Sequence, residues 1–327
     1  MNLLELARRS GGPYLYRKAK ARLQHTFRKL RPGHNIPLHR HEMYSPFFIV
    51  GSGRAGTTLL RRILQTSDEV HIPPETWAFK KTYSRFIQYR STLPWDELVA
   101  ALVFIYTTQS DFSSEFWSEG FNITKEITNM TKGDRSLSNI IDTINRSHGY
   151  FRSATFSRWG DKTPLNSFCM DEIVGVFPDA RFIHMVRDPV DVVRSYLKHD
   201  EAAPEVTDLE SAAKRWRNAV LSVMKFRRKG GRVMDVYYED FVSDPASEMK
   251  KICNFLELKY KNILISSYDK DNELKDIKSS RHHENVLDSI SEDHIGKGRR
   301  ELNKCDLKIL DDIIKDICEE IGYESLV

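Results

Sequence analysis

The chain has 327 residues, of which 40% are hydrophobic and 29% charged, and its formal net charge at pH 7 is +4. This composition is typical of a globular protein with a sizeable core, and no run of about 18 apolar residues predicts a membrane-spanning helix. The four cysteines are widely spaced without CxxC or CxxH motifs, which excludes a disulfide framework and a cysteine zinc site. The short apolar stretch at the start precedes its arginines, unlike a secretory signal. We therefore expect a cytoplasmic protein.

The positive charge is concentrated in a basic N-terminal arm, residues 1–45. The arm contains ten Lys and Arg residues and two acidic residues, a net charge of +8, so the rest of the chain carries −4. Its apolar residues recur at helical spacing and predict an amphipathic helix with a basic face: Tyr16, Ala19, Leu23, Phe27 and Leu30. Such a helix either contacts a membrane surface or a polyanion, or packs on the body with its charged face in solvent. The acidic body and the lack of a nucleic-acid motif argue against a nucleic-acid partner.

Three short apolar segments are each followed by a turn and then a helical pattern. They predict buried strands at residues 47–50, 181–186 and 232–237. The helical patterns lie at residues 59–64, 189–196 and 245–256, with a last helix from about 307 to 321 that stops before Gly322. This alternation predicts an α/β fold in which a central parallel sheet is covered by helices on both faces.

The domain organisation follows from where this alternation is interrupted. Residues 80–155 lack it and predict a mainly helical insertion, with loops, over the sheet. We expect residues 46–327 to form a single domain that includes this insertion.

The strongest local signal is the glycine-rich turn GSGRAGTT at residues 51–58, between a predicted strand and a predicted helix. Backbone N–H groups in such a turn surround an anion, and the helix N-terminus adds partial positive charge. The turn has the form of a Walker A loop, except that Thr57 stands where the phosphate-binding lysine is expected. Arg54 offers a planar fork for a phosphate instead. We therefore expect a ligand with less terminal charge than a nucleoside triphosphate.

Four segments resemble the sulfotransferases that use 3′-phosphoadenosine-5′-phosphosulfate (PAPS), in the order expected for that family. They are FIVGSGRAGTTLL at 48–60, FIHMVRDPVDVVRSYL at 182–197, YEDFVSDP at 238–245 and HIGKGRREL at 294–302. The resemblance implies a three-layer, P-loop-like fold, PAPS as co-substrate and adenosine 3′,5′-bisphosphate (PAP) as product. It implies no metal, and the two histidine clusters of the chain, within residues 34–42 and 282–284, have no recognised ligand spacing.

The resemblance also implies where the nucleotide binds. The glycine-rich loop corresponds to the 5′-phosphosulfate site, with candidate contacts from Gly53, Arg54, Ala55, Gly56, Thr57 and Thr58. Arg187 at a strand end and Ser195 in the next helix match the family's 3′-phosphate residues. The C-terminal segment adds Lys297, Gly298 and Arg299 as further candidates for the 3′-phosphate, with Arg300 as an alternative.

Two further residues are candidates for the chemistry, together with Arg54. Glu75, in PPETW, resembles the catalytic glutamate of tyrosylprotein sulfotransferases and several carbohydrate sulfotransferases, and would act as general base. Lys162, in WGDKTP, resembles the lysine that stabilises the leaving phosphate, or protonates it. His71 and His184 are alternative bases, although His184 lies within a predicted strand.

Sulfuryl transfer to a hydroxyl, or an amine, of an acceptor is therefore the predicted activity. The Glu75 arrangement favours a carbohydrate, glycolipid or peptide acceptor. One alternative is a kinase that uses ATP and magnesium, which predicts a lysine at position 57 and a magnesium carboxylate. Another is a non-catalytic protein that binds a nucleotide or a polyanion.

Overall fold

The protein is represented by a computed structural model that describes residues 35–40, 45–109, 123–151, 156–198, 205–261 and 290–324. The predicted amphipathic helix of the basic arm lies outside the described residues. Residues 35–40 of that arm pack on the body: Leu137 donates its N–H to the Pro37 carbonyl at 3.2 Å, and Ser138 to that of Leu38 at 2.9 Å.

Five parallel strands form the central sheet in the order β2–β3–β1–β4–β5. They are β1 (Phe47–Gly51), β2 (Val70–His71), β3 (Arg158–Lys162), β4 (Arg181–Val186) and β5 (Val233–Tyr237). The α/β fold and its three predicted strands, β1, β4 and β5, are confirmed. Strands β2 and β3 were not predicted, because neither contains an apolar run.

Helices cover both faces of the sheet. They are α1 (Thr57–Leu64), α2 (Ala78–Tyr89), α3 (Trp95–Thr107), α4 (Ile123–Thr128), α5 (Leu137–Phe151), α6 (Met170–Val176), α7 (Pro189–Lys198), α8 (Leu209–Arg228), α9 (Tyr238–Ser243), α10 (Pro245–Leu256), α11 (Lys297–Glu301) and α12 (Lys304–Ile321). Short 3₁₀ segments lie at Pro164–Phe168 and Glu292–His294. Helix α12 begins a few residues earlier than predicted, with Asn303 as its N-cap, and ends at Gly322 in the left-handed conformation as predicted.

The core lies on both sides of β1, because successive side chains of a strand point to opposite faces. Phe48 and Val50 pack with α2, α3, α5 and α6 in one cluster. Phe47 and Ile49 pack with α1 and α10 in another. The described parts of the 80–155 insertion are helical, and α3 buries Leu98, Val99 and Leu102 in the first cluster.

Two further findings concern the cysteines and the helices. All four cysteines are free thiols, and three of them are buried. Within the described ranges, no helix is long and apolar enough to span a membrane.

Candidate active site

The glycine-rich loop connects β1 to α1 at the carboxyl end of the sheet. Arg54 and Gly56 adopt left-handed backbone conformations, with φ of 69° and 94°, which curl the loop. A side chain at Gly53 would collide with the Tyr196 hydroxyl, and one at Gly56 would come within 2.6 Å of the Tyr238 ring. Helix α1 has neither a side-chain N-cap nor an acidic residue in its first turn, so its N-terminal amides suit an anion.

The loop is tied to helix α7 through Arg54. Its Nε donates a hydrogen bond to the Ser195 hydroxyl at 3.0 Å, across 141 residues of sequence. The structure therefore brings together a residue predicted for the 5′-phosphosulfate and one predicted for the 3′-phosphate. Thr57 and Thr58 begin α1 and are buried, as is Ala55 in the loop.

Arg187 follows β4 and lies between the loop and the C-terminal segment. One guanidinium nitrogen donates to the Arg54 carbonyl at 3.3 Å and the other to the His294 carbonyl at 2.8 Å. The guanidinium lies over the Tyr238 ring, 4.2 Å from its centroid. Its Nε is buried and has no hydrogen-bond partner within the part of the chain that the structure describes. The side chain is therefore fixed by its terminal nitrogens and by the ring.

The C-terminal candidates occupy different positions. Gly298 lies against the first turn of α7, whereas the Lys297 amine lies 3.2 Å from Nδ1 of His294. Arg299 donates to the Asp188 carboxylate at 3.2 Å, and Arg300 donates to the Ile295 carbonyl at 3.0 Å. Both arginines therefore have partners within the protein. The other oxygen of Asp188 caps α7 by accepting the Val190 N–H at 2.8 Å.

Positive charge is concentrated around these residues. Burial lowers the pKa of the Arg54 guanidinium, and the nearby Arg187 lowers it further. The pKa of His294 is likewise lowered, first by burial and then by Lys297 and Arg187. An anionic ligand would relieve this repulsion, so the region suits a group with several negative charges.

Glu75 and Lys162 form an ion pair beside this region. Lys162 ends β3, where it is the register partner of Ile49 in β1, and its side chain is only 3% exposed, against 21% for Glu75. The Thr163 hydroxyl donates to the Thr76 carbonyl at 2.8 Å and fixes the segment that bears Glu75. The structure thus joins the predicted base to the predicted leaving-group lysine. Trp77, two residues after Glu75 in the sequence, is 42% exposed.

Asp161, next to Lys162, was not predicted as part of the site. Burial raises the pKa of its carboxyl group to about 7, and the negative charge of Glu75 adds to the effect, although Thr163 and Lys162 oppose it. Asn166 donates to its Oδ1 at 3.0 Å. Nothing in the apolar pattern marks this residue, because it lies in the unpredicted strand β3.

The two alternative histidine bases have partners elsewhere. His184 lies in β4 with Nδ1 at 2.8 Å from the Asp235 carboxylate of β5. His71 lies in β2, with Nε2 at 2.9 Å from Nδ1 of His148. Both side chains are buried. Across the described residues, no three His, Cys, Asp or Glu side chains converge as a metal site would require.

Comparisons with known proteins show the family and the fold of the chain. The model of the sulfotransferase family matches residues 46–262, well over half of the sequence, so the chain belongs to the sulfotransferase family and is a sulfotransferase enzyme. A protein-tyrosine sulfotransferase of Drosophila melanogaster is 27% identical over 222 residues, which cover 67% of this chain but 39% of that protein.

Solved structures show the same fold. The sulfotransferase domain of an olefin synthase from Synechococcus PCC 7002 superposes with a TM-score of 0.54 at 21% identity, over 90% of this chain and 98% of that domain. The sulfotransferase domain of the curacin biosynthetic pathway gives a TM-score of 0.57 at 17% identity, over 86% of this chain and 99% of the domain. At these identities the likeness concerns the fold alone.

Proposed function

We propose that the protein transfers a sulfuryl group from PAPS to a hydroxyl, or an amine, of an acceptor. The observation that carries the proposal is the Glu75–Lys162 ion pair, which lies one strand away from the glycine-rich loop. A carboxylate and an ammonium group beside an anion-binding loop are the groups that in-line transfer between two oxygens requires.

The proposed donor site has two parts. The 5′-phosphosulfate would contact the loop through Gly53, Arg54, Ala55, Gly56, Thr57 and Thr58. The 3′-phosphate would contact Arg187, Ser195, Lys297, Gly298 and Arg299. Two observations support this fit: after burial, the positive charge of Arg187 contributes to the lowered pKa values of both Arg54 and His294, and Gly56 leaves no room for a side chain beside Tyr238. Thr57 in place of lysine disfavours a triphosphate.

The proposed chemistry assigns one role to each member of the ion pair. Glu75 accepts the proton of the acceptor hydroxyl while that oxygen attacks sulfur. As the new S–O bond forms, the bond between sulfur and the 5′-phosphate oxygen breaks, and Lys162 stabilises the negative charge left on that phosphate or protonates it. Arg54 adds positive charge on the side of the transferred group. No metal is required.

For the acceptor, we propose the tyrosine hydroxyl of a peptide ahead of a carbohydrate or glycolipid. The Drosophila relative is named for protein tyrosine, and the exposed Trp77 beside Glu75 offers an aromatic surface to a phenol ring. The test is incubation with PAPS and a tyrosine peptide, a phenylalanine control peptide and oligosaccharides, with sulfated products identified by mass spectrometry. Sulfation of the oligosaccharides alone would contradict the peptide proposal.

The donor is tested by thermal unfolding with PAP, with ADP, and with ATP plus magnesium. We expect stabilisation by PAP alone, by a few degrees at about 100 times its Kd. Activity should persist in EDTA. Stabilisation only by ATP and magnesium would overturn the proposal in favour of a kinase, and no stabilisation by any of the three would favour a protein that binds another polyanion.

The remaining proposals concern organisation. We propose that residues 46–327 act as one domain with the 80–155 insertion on the acceptor side. The basic arm would contact an anionic membrane surface or polyanion. Free thiols, including the exposed Cys305, suit a reducing compartment such as the cytoplasm.

A further inference from the structure

Asp191, in the first turn of α7, is a buried carboxylate bonded to the C-terminal segment. Its Oδ1 accepts the N–H of Gly298 at 2.6 Å, and its Oδ2 accepts the N–H of Gly296 at 2.8 Å. Only 2% of the residue is exposed. A single side chain therefore binds two backbone donors that lie 105 and 107 residues further along the chain.

The contact also fixes the register of the segment. A side chain at Gly298 would collide with the Val190 carbonyl and would come within 2.8 Å of the Asp191 N–H. Gly296 has φ of 69°, a conformation that favours glycine. The turn at residues 296–298 consequently lies flush on α7 and cannot shift along it without losing both hydrogen bonds.

A carboxylate beside a phosphate site would ordinarily repel the ligand. Here both oxygens of Asp191 already accept hydrogen bonds, and Arg187 lies 3.7 Å from Oδ2. Charge-assisted hydrogen bonds from backbone N–H groups stabilise such a carboxylate. In this arrangement the carboxylate of Asp191 has no direct contact with the ligand. Its effect on the ligand is indirect, because Lys297 lies between the two glycines that it binds.

We propose that Asp191 is a positioning residue that holds the 296–298 turn on α7 and thereby sets selectivity for a 3′-phosphorylated nucleotide. The inference rests on the proposed donor site. The side chain does not touch the nucleotide. It sets the distance between the C-terminal cations and Arg187, whose guanidinium donates to the His294 carbonyl of the same segment at 2.8 Å.

The test compares Asp191→Asn with Asp312→Asn, a matched loss of charge at an exposed position of α12. An asparagine turns an NH₂ group towards one of the two backbone donors, so we expect the Kd for PAP to rise at least about tenfold, as for loss of one charge-assisted hydrogen bond. The Kd for adenosine 5′-monophosphate should change less than about threefold, and the control should bind both as the wild type does. Equal losses for both nucleotides, or an unchanged PAP affinity, would overturn the proposal.

Amide hydrogen exchange provides a readout that needs no ligand. In the wild-type protein the N–H groups of Gly296 and Gly298 should exchange slowly, and Asp191→Asn should accelerate these two while β1 and β4 stay protected. Fast exchange at both glycines in the wild type would refute the anchoring contact even if the variant failed to fold. If the wild type did not prefer PAP over the monophosphate, the donor site itself would be wrong, whatever the exchange result.

Discussion

At the residue scale, the lysine missing from the loop has a counterpart in Lys162. Thr57 replaces the lysine of ATP-binding loops, and Lys162 supplies a buried amine from the neighbouring strand. Family resemblance pointed to Glu75 and Lys162 separately. Only strand pairing explains why they meet, since Lys162 ends β3 and Glu75 follows β2, which pairs with β3. The residues could thus be predicted, whereas their ion pair could not.

Replacement of Glu75 tests the proposed base. Glu75→Gln keeps the shape of the side chain and removes the proton acceptor, so kcat should fall by about a hundredfold or more while the Kd for PAP stays within about threefold. Steady-state sulfation and titration calorimetry measure the two quantities. Glu319→Gln, at an exposed position, is the matched control. A kcat equal to that of the wild type would exclude Glu75 as the base.

Asp161 should make the stability of the protein depend on pH. Its carboxyl group titrates at about 7 in the folded protein, against about 4 when unfolded. Between these values the folded state binds more protons, so this group's contribution makes the free energy of unfolding decrease as pH rises from about 4 to about 7. Above pH 7 that contribution levels off.

Asp161→Asn mimics the protonated carboxyl and removes this dependence. Denaturant unfolding at pH 5 and pH 8 should show that the variant gains stability relative to the wild type as the pH rises, so the difference in its favour is larger at pH 8. A difference in stability that is the same at both pH values would show that Asp161 titrates normally.

At the element scale, sequence reasoning found the strands before the loop and Arg187 but missed β3, which bears Asp161 and Lys162. β1 and β4 are apolar throughout and were predicted, but β3 has the sequence RWGDK with Trp159 as its only large apolar residue. It forms a strand because Gly160 admits the Phe47 ring and because β1 and β2 pair with it. The polar residues at the end of β3, Asp161 and Lys162, lie at the candidate site. Because they are polar, a search for apolar runs does not detect the strand.

Helix α7 supports the loop through Tyr196. The phenol hydroxyl lies against Gly53 and accepts a hydrogen bond from Nε of Arg215 at 3.1 Å. Tyr196→Phe removes the support, so we expect the KM for PAPS to rise about three- to tenfold with little change in kcat. Tyr150→Phe, at an exposed tyrosine, is the control. An unchanged KM would mean that the loop holds its conformation without this hydroxyl.

At the scale of the whole molecule, the site lies where the strand order changes direction. β1 has β3 on one side and β4 on the other, and the segments after all three strands meet at the same edge of the sheet. Ligands of open α/β sheets bind at such a point. The donor side was therefore predictable from strand–turn–helix patterns. The arrangement of the 80–155 insertion over the sheet was not, because the positions of its helices are specified by tertiary packing.

The uneven charge of the chain leads to a prediction about membranes. The arm carries +8 and the rest −4, so the full chain should sediment with vesicles that contain anionic lipid, less so at high salt, and not with zwitterionic vesicles. Deletion of residues 1–34 should abolish sedimentation and leave the Kd for PAP unchanged. Equal sedimentation of the full chain and the deletion variant would contradict membrane binding by the arm. It would favour the alternative interpretation, in which the helix of the arm packs on the body of the protein.

The contacts of helix α7 join parts of the chain that are far apart in sequence: Ser195 to Arg54 across 141 residues, and Asp191 to Gly298 across 107. A nucleotide bound among these parts would act as a non-covalent crosslink between the first strand unit and the last. It would restrain the ends of the domain as a disulfide restrains a loop, but reversibly. The affinity for the donor would then depend on an intact fold, since a molecule without its C-terminal segment in place would bind the donor more weakly.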